Sequence, residues 1–224
     1  MVSLPAGGDG GGAGGATAAT LRRPGTRRRS IVVAKLLERL GPRWAAGRRC
    51  LDLSAGCGLV AIVLAKLGAD VTATDLEPNL PLLRENCGAN GVPGVAVVEH
   101  RWGTPPAGAL AAPFDVVVAC DVMYVHELVA DLVASLRALV SPDRGVAYVA
   151  HGRNRPAEPA FVAAAAAAGF AVSRVPSAEL DPVFQTSDVD VLRLTRAPAG
   201  SCSAAPPPVA GARGEQAGRG GPGK

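Results

Sequence analysis

Residues 50–75, CLDLSAGCGLVAIVLAKLGADVTATD, hold an apolar strand, an early acid, a glycine turn, a helix and a second strand closed by another acid. Asp52 stands before the turn and Asp75 after it. A loop built to cradle phosphate is poorly served by a carboxylate beside its anion, so this pair of acids discriminates between ligand classes.

In a doubly wound sheet the ligand lies outside the carboxyl ends of the strands, where the strand order reverses. Gly56, Gly58 and Ala61 fit the dinucleotide pattern G-x-G-x-x-G/A, which is weak evidence alone. Asp52, at the end of the first strand, is unfavourable beside a pyrophosphate and favourable beside an ammonium. S-adenosylmethionine carries that ammonium and no phosphate. Asp75, at the tip of the second strand, is placed to accept hydrogen bonds from two ribose hydroxyls. The competing reading, in which both aspartates only end strands and cap turns, stands beside this one.

Outward from the turn, apolar runs alternate with helical patterns in a βαβα rhythm, which predicts an α/β fold: a Rossmann-like, doubly wound, seven-stranded sheet, mostly parallel. Helices are expected over 30–40 (capped by Ser30), 59–67, 79–90, 127–140 and 157–168. Gly68, Gly91 and Gly169 provide stops. Strands are expected over 50–53, 70–74, 95–99, 114–120, 145–150, 170–175 and 189–195. FDVVVAC is apolar throughout, as a strand covered on both faces must be. No helix separates the last two strands, so they should pair antiparallel as a hairpin at the C-terminal edge.

The chain has 224 residues and 48% hydrophobic content, enough for one domain with a sizeable core. The expected division is a disordered Gly/Arg-rich extension over 1–29, a catalytic-size domain over 30–196 and a disordered Pro/Gly/Ala-rich tail over 197–224. The ends are too poor in bulky apolar side chains to offset ordering entropy. The formal charge of +4 owes much to Arg22, Arg23, Arg27, Arg28 and Arg29. That run reads as a solvated tail, and no nucleic-acid partner is expected.

The five cysteines have no C-x-x-C spacing, which favours reduced thiols and a cytoplasmic location. An organelle is the alternative, should the arginine-rich start serve as a transit peptide. The three histidines have no ligand spacing, so no metal is expected. No apolar run approaches the roughly 20 residues of a membrane span, and no membrane association is expected.

LDLSAGCGLVAIVLAKLGADVTATD, LLRENCGAN, HRWG and FDVVVACDVMYVHELVADLVASL together resemble the seven-β-strand S-adenosylmethionine-dependent methyltransferases of the methyltransferase-16 type. Within that type the resemblance is to the methyltransferase-like 21 group of protein lysine methyltransferases, over residues 30–196. DVMY, 121–124, is its most specific element. The resemblance implies that Asp52, Ser54, Gly56 and Gly58 form the methionine-binding loop and that Asp75 holds the ribose. It also implies that Trp102 lies against the adenine side and that Ala119 and Cys120 offer backbone groups to the methionine side. Asp121 and Tyr124 are implied in recognition of a substrate lysine. Trp102 read alone is a core plug, Asp121 a helix cap and Tyr124 a packed ring.

Two departures from the group stand out. Ser54 occupies the place of the first loop glycine, and arginines in GTRRRSIVVAKLLERLG replace a V-W element before the first helix. The expected function is methyl transfer from S-adenosylmethionine to a lysine amine of a protein substrate, by a monomer. Two alternatives stay open: a methyltransferase for a small molecule or another residue, and a non-catalytic cofactor-binding or interaction module.

Overall fold

The computed structural model describes residues 27–196, residues 125 and 154 excepted. Of the expected tails, residues 1–26 and 197–224 lie outside the described residues, whereas 27–29, expected to be disordered, are helical. Each expected strand and helix is present with shifted ends. The helices are α1 (Arg27–Leu40), α2 (Pro42–Ala45), α3 (Leu59–Lys66), α4 (Leu80–Ala89), α5 (Val129–Leu139) and α6 (Glu158–Ala167). The strands are β1 (Arg49–Leu53), β2 (Asp70–Asp75), β3 (Ala96–Glu99), β4 (Val116–Cys120), β5 (Val146–Gly152), β6 (Phe170–Arg174) and β7 (Val189–Arg196).

The sheet order is β3-β2-β1-β4-β5-β7-β6. The first five strands run parallel, while β7 is antiparallel to both β5 and β6. The hairpin expected at the edge is therefore present, with β7 on its inner side.

Strand side chains alternate between two cores, which is why the central strands are apolar throughout. Cys50, Val116, Val118, Tyr148 and Ala150 face α1 and α3. Leu51, Leu53, Val117, Ala119, Ala147 and Val149 face α5 and α6. Within α1, the buried Val32, Val33, Leu36 and Leu37 form the inward stripe, and the helix packs on α3 and β5.

Two expectations are corrected at this first helix. Ser30 does not cap it, because helical backbone begins at Arg27. The arginine run is also not wholly solvated: Arg28 stays exposed beside Asp188 at 3.6 Å, but Arg29 is half-buried and pairs with Asp121 at 2.9 Å. The four-residue α2, begun by Pro42, was unexpected from periodicity because it is barely one turn long.

Candidate active site

The strand order reverses between β1 and β4, and a cavity of about 340 Å³ opens there at their carboxyl ends. That volume falls in the range of roughly 300–1,000 Å³ usual for small-molecule sites. Ser54 follows β1 and Asp121 follows β4, and both line the cavity. Among the described residues these are the non-glycine positions with left-handed backbone, φ +67° and +63°. Such conformations cost on the order of 1–3 kcal/mol and gather where surrounding contacts enforce them. The Asp121 amide donates to Ala150 O at 2.8 Å, which fixes the turn out of β4.

The glycine loop is tied from four sides. Ala55 N–H donates to Thr74 O at 2.7 Å, and Asn86 Nδ2 of α4 donates to Cys57 O at 2.9 Å. Gly56 N–H donates to Asp75 Oδ2 at 2.7 Å. Gly58, with φ +86°, lies so close to α4 that a Cβ there would stand 2.5 Å from Leu83 Cδ1. Only glycine meets both demands.

The fourth tie is Asp52. Its Oδ2 accepts the Ala61 N–H at 3.0 Å, in the first turn of α3, where Gly58 offers no side-chain cap. Asp52 is 2% exposed and lies beneath the loop, not on the cavity wall. The carboxylate expected beside a ligand ammonium points here into the base of a helix. Burial pushes its pKa up to about 7, against the pull of the Ala61 amide, and the nearby Asp75 charge adds to the rise. Gly58 and Ala119 likewise stand behind the wall, Ala119 fully buried.

The other expected site residues converge on the cavity: Ser54, Gly56, Asp75, Trp102, Cys120, Asp121 and Tyr124. Besides Gly56, Asp75 accepts from Leu76 N–H and Asn79 Nδ2, each at 2.8 Å on Oδ1. A carboxylate has about four lone-pair positions, so acceptor capacity remains. Trp102 Nε1 donates to Ser54 Oγ at 2.9 Å, and its ring lies 6.4 Å from that of Tyr124. The indole thus joins the loop to the D-x-x-Y segment. Tyr124 is 64% exposed at the mouth. The Cys120 thiol is held well above its ordinary range by desolvation, with Asp52 contributing, so it stays protonated and is a poor nucleophile.

Sequence reasoning missed Ser30, Leu76, Asn79, His100, Arg101 and Asp131 on the wall. His100 was within reach of it, being quoted in HRWG beside Trp102. Its Nε2 lies 3.2 Å from Ser135 Oγ, which accepts the Gly103 N–H, and burial lowers its pKa and keeps it neutral. The formal charge of the wall therefore comes from Asp75, Asp121 and Asp131 against Arg101.

S-adenosylmethionine fits this wall. An excess of carboxylates opposes a pyrophosphate and suits a ligand with a sulfonium and an ammonium. A Cβ on Gly56 would meet nothing within 4 Å, so ligand atoms can approach the loop backbone closely. Among the described residues no three His, Cys, Asp or Glu side chains gather as a metal-binding group.

The lysine methyltransferase family model matches residues 28–167. Protein N-lysine methyltransferase METTL21A of Danio rerio is 36% identical over 118 residues, which cover 51% of this chain and 54% of that protein. EEF1A lysine methyltransferase 3 of Mus musculus is 34% identical over 106 residues, 46% of this chain and 45% of that protein. The chain spans about half the length of these curated relatives. A solved TehB-like SAM-dependent methyltransferase from Corynebacterium glutamicum has a TM-score of 0.58 and 24% identity, covering 73% of this chain and 86% of that one, a likeness in fold. With its family match running from the first helix through α6, the chain belongs to the lysine methyltransferase family.

Proposed function

We propose that this chain transfers the methyl group of S-adenosylmethionine to the side-chain amine of a lysine in a protein substrate. The observation that carries the reading is the cavity at the β1/β4 switch point, which joins Asp75 at the tip of β2 to Asp121 and Tyr124 after β4. The names of the matched relatives support lysine as the acceptor: one is a protein N-lysine and one an EEF1A lysine methyltransferase.

When bound, S-adenosylmethionine supplies an electrophilic methyl on a cationic sulfur. The chain's residues bind and orient. Asp75 would hold the ribose, and Ser54, Gly56 and Cys120 would bound the methionine side. Trp102 is pinned by Ser54 and closes the cavity between loop and mouth. Asp121 and Tyr124 would align the incoming amine. Its proton leaves to solvent at the open mouth, where Tyr124 is exposed. Little further acid–base machinery is required, since positioning supplies most of such a rate.

The functional unit in this reading is the domain over 30–196, lengthened at its start by Arg29. In this reading it acts as a monomer. The cytoplasm is the proposed compartment, supported by Cys50, Cys87 and Cys120 being free thiols. No described helix is long and apolar enough to cross a membrane.

The test is to incubate the chain with S-adenosylmethionine labelled on the methyl group and a cell extract, then locate the label by mass spectrometry. Label on lysine, reduced at least about a hundredfold in rate by Asp121→Ala with S-adenosylhomocysteine affinity kept within about threefold, is the expected result. Label on small molecules or another residue would reassign the acceptor. Binding without transfer would favour an interaction module.

A further inference from the structure

Asp121 is already paired. Arg29 Nη1 lies 2.9 Å from both of its carboxylate oxygens, across 92 residues of sequence. The two side chains are 24% and 18% exposed, so the pair is largely withdrawn from water. Asp121 and Ser30 face the cavity, whereas Arg29 stands behind them. Its guanidinium lies on the backbone of Gly152 at the end of β5, where a Cβ would be 2.8 Å from Nη2. Its Nε is buried with no hydrogen-bond partner. A guanidinium largely withdrawn from water with its Nε unsatisfied is costly, and the carboxylate that pairs with it here belongs to the proposed acceptor site.

We propose that Arg29 is a positioning residue of the acceptor site, fixing the Asp121 carboxylate from behind and balancing its charge so that an uncharged amine is admitted in preference to an ammonium. The inference rests on the reading of Asp121 as the acid facing the acceptor. A nitrogen can attack a methyl carbon only through its lone pair, so a protonated amine is inert. A free carboxylate beside it would stabilise that inert form. Arg29 removes this bias and leaves the carboxylate oxygens oriented as acceptors for the amine N–H. Because it stands outside the cavity wall, Arg29 does not occupy the acceptor's place, which separates this role from blockage by a pseudosubstrate.

The test compares two ligands that differ at one position. S-adenosylhomocysteine has a neutral thioether, whereas sinefungin carries a carbon bearing a cationic amine where the sulfonium methyl of S-adenosylmethionine would be. Their affinity ratio, measured by calorimetry at neutral pH, reports the charge facing the transferred methyl. Arg29→Gln should raise the preference for sinefungin at least about tenfold, because Asp121 is left unbalanced, while Arg29→Lys should stay within about threefold of wild type. Should Arg29→Gln fail to fold, Asp121→Asn reads the same balance from the other side and should lower that preference at least about tenfold. A purely structural Arg29 would change both affinities together and leave the ratio unmoved, which would overturn the inference. Failure of both ligands to bind the wild type would overturn the cofactor reading and the inference with it.

Discussion

Ser54 Oγ accepts the Trp102 indole N–H at 2.9 Å from a residue whose own backbone is left-handed, φ +67°. Serine in this place therefore does more than substitute for glycine. A glycine would relax the backbone and leave the indole N–H without its acceptor.

Two variants separate these effects. Ser54→Ala keeps the strained backbone and loses the hydrogen bond, so it should destabilise the fold by about 1–2 kcal/mol. Ser54→Gly loses the same bond but relieves a left-handed penalty of about 1–2 kcal/mol, so it should be close to neutral. Both should alter Trp102 emission, measured in a Trp44→Phe background. Equal stability of the Ala and Gly variants would mean that the left-handed turn carries no strain.

Asp52 makes stability depend on pH. Its folded pKa, about 7, exceeds the ordinary carboxyl value of about 3.9, so the folded state holds a proton that the unfolded state has lost. The stability tied to that proton is complete below about pH 4 and is lost as pH rises through about 7, at up to about 1.4 kcal/mol per pH unit. Asp52→Asn can still accept the Ala61 N–H and cannot ionise. Relative to wild type it should gain on the order of a few kcal/mol between pH 4 and pH 8, read from urea unfolding at both. A constant difference between the two proteins would show that Asp52 titrates normally.

Asp75 serves the loop and, in the proposed function, the ribose. Asp75→Asn removes the charge behind three hydrogen bonds. S-adenosylhomocysteine affinity should fall by about 1.5–3 kcal/mol, roughly tenfold to a hundredfold, with far-UV circular dichroism retained. Full affinity in the folded variant would leave Asp75 as a loop anchor only.

Gly58 should tolerate no side chain. Gly58→Ala places a Cβ 2.5 Å from Leu83 Cδ1 on a backbone with φ +86°. The expected cost is about 2–4 kcal/mol, the sum of a left-handed penalty and overpacking. Adding Leu83→Ala removes the collision, so the double variant should be more stable than the two single effects sum to. Strict additivity would place the problem in the backbone alone.

Local chemistry was enough to order the elements of this chain. Period-two and period-3.6 apolar spacing and glycine stops act within a few residues, so α3 ending before Gly68 and the apolar β4 were legible without coordinates. The same holds for the glycine loop and for Asp75 at the tip of β2, because strand, turn and helix follow each other directly in sequence. What spacing could not convey is which side of a loop a side chain takes. Asp52 takes the face of β1 covered by α3, so its carboxylate reaches a helix base and not the cavity wall. Arg29 reaches Asp121 across 92 residues, and Trp102 reaches Ser54 across 48. The second pair joins the carboxyl ends of β3 and β1 on either side of β2, and the first exists because α1 packs over β4 and β5. The charge and geometry of the proposed acceptor site are consequently properties of tertiary packing, and an arginine that reads in sequence as part of a solvated tail becomes the partner of the acid at the mouth of β4.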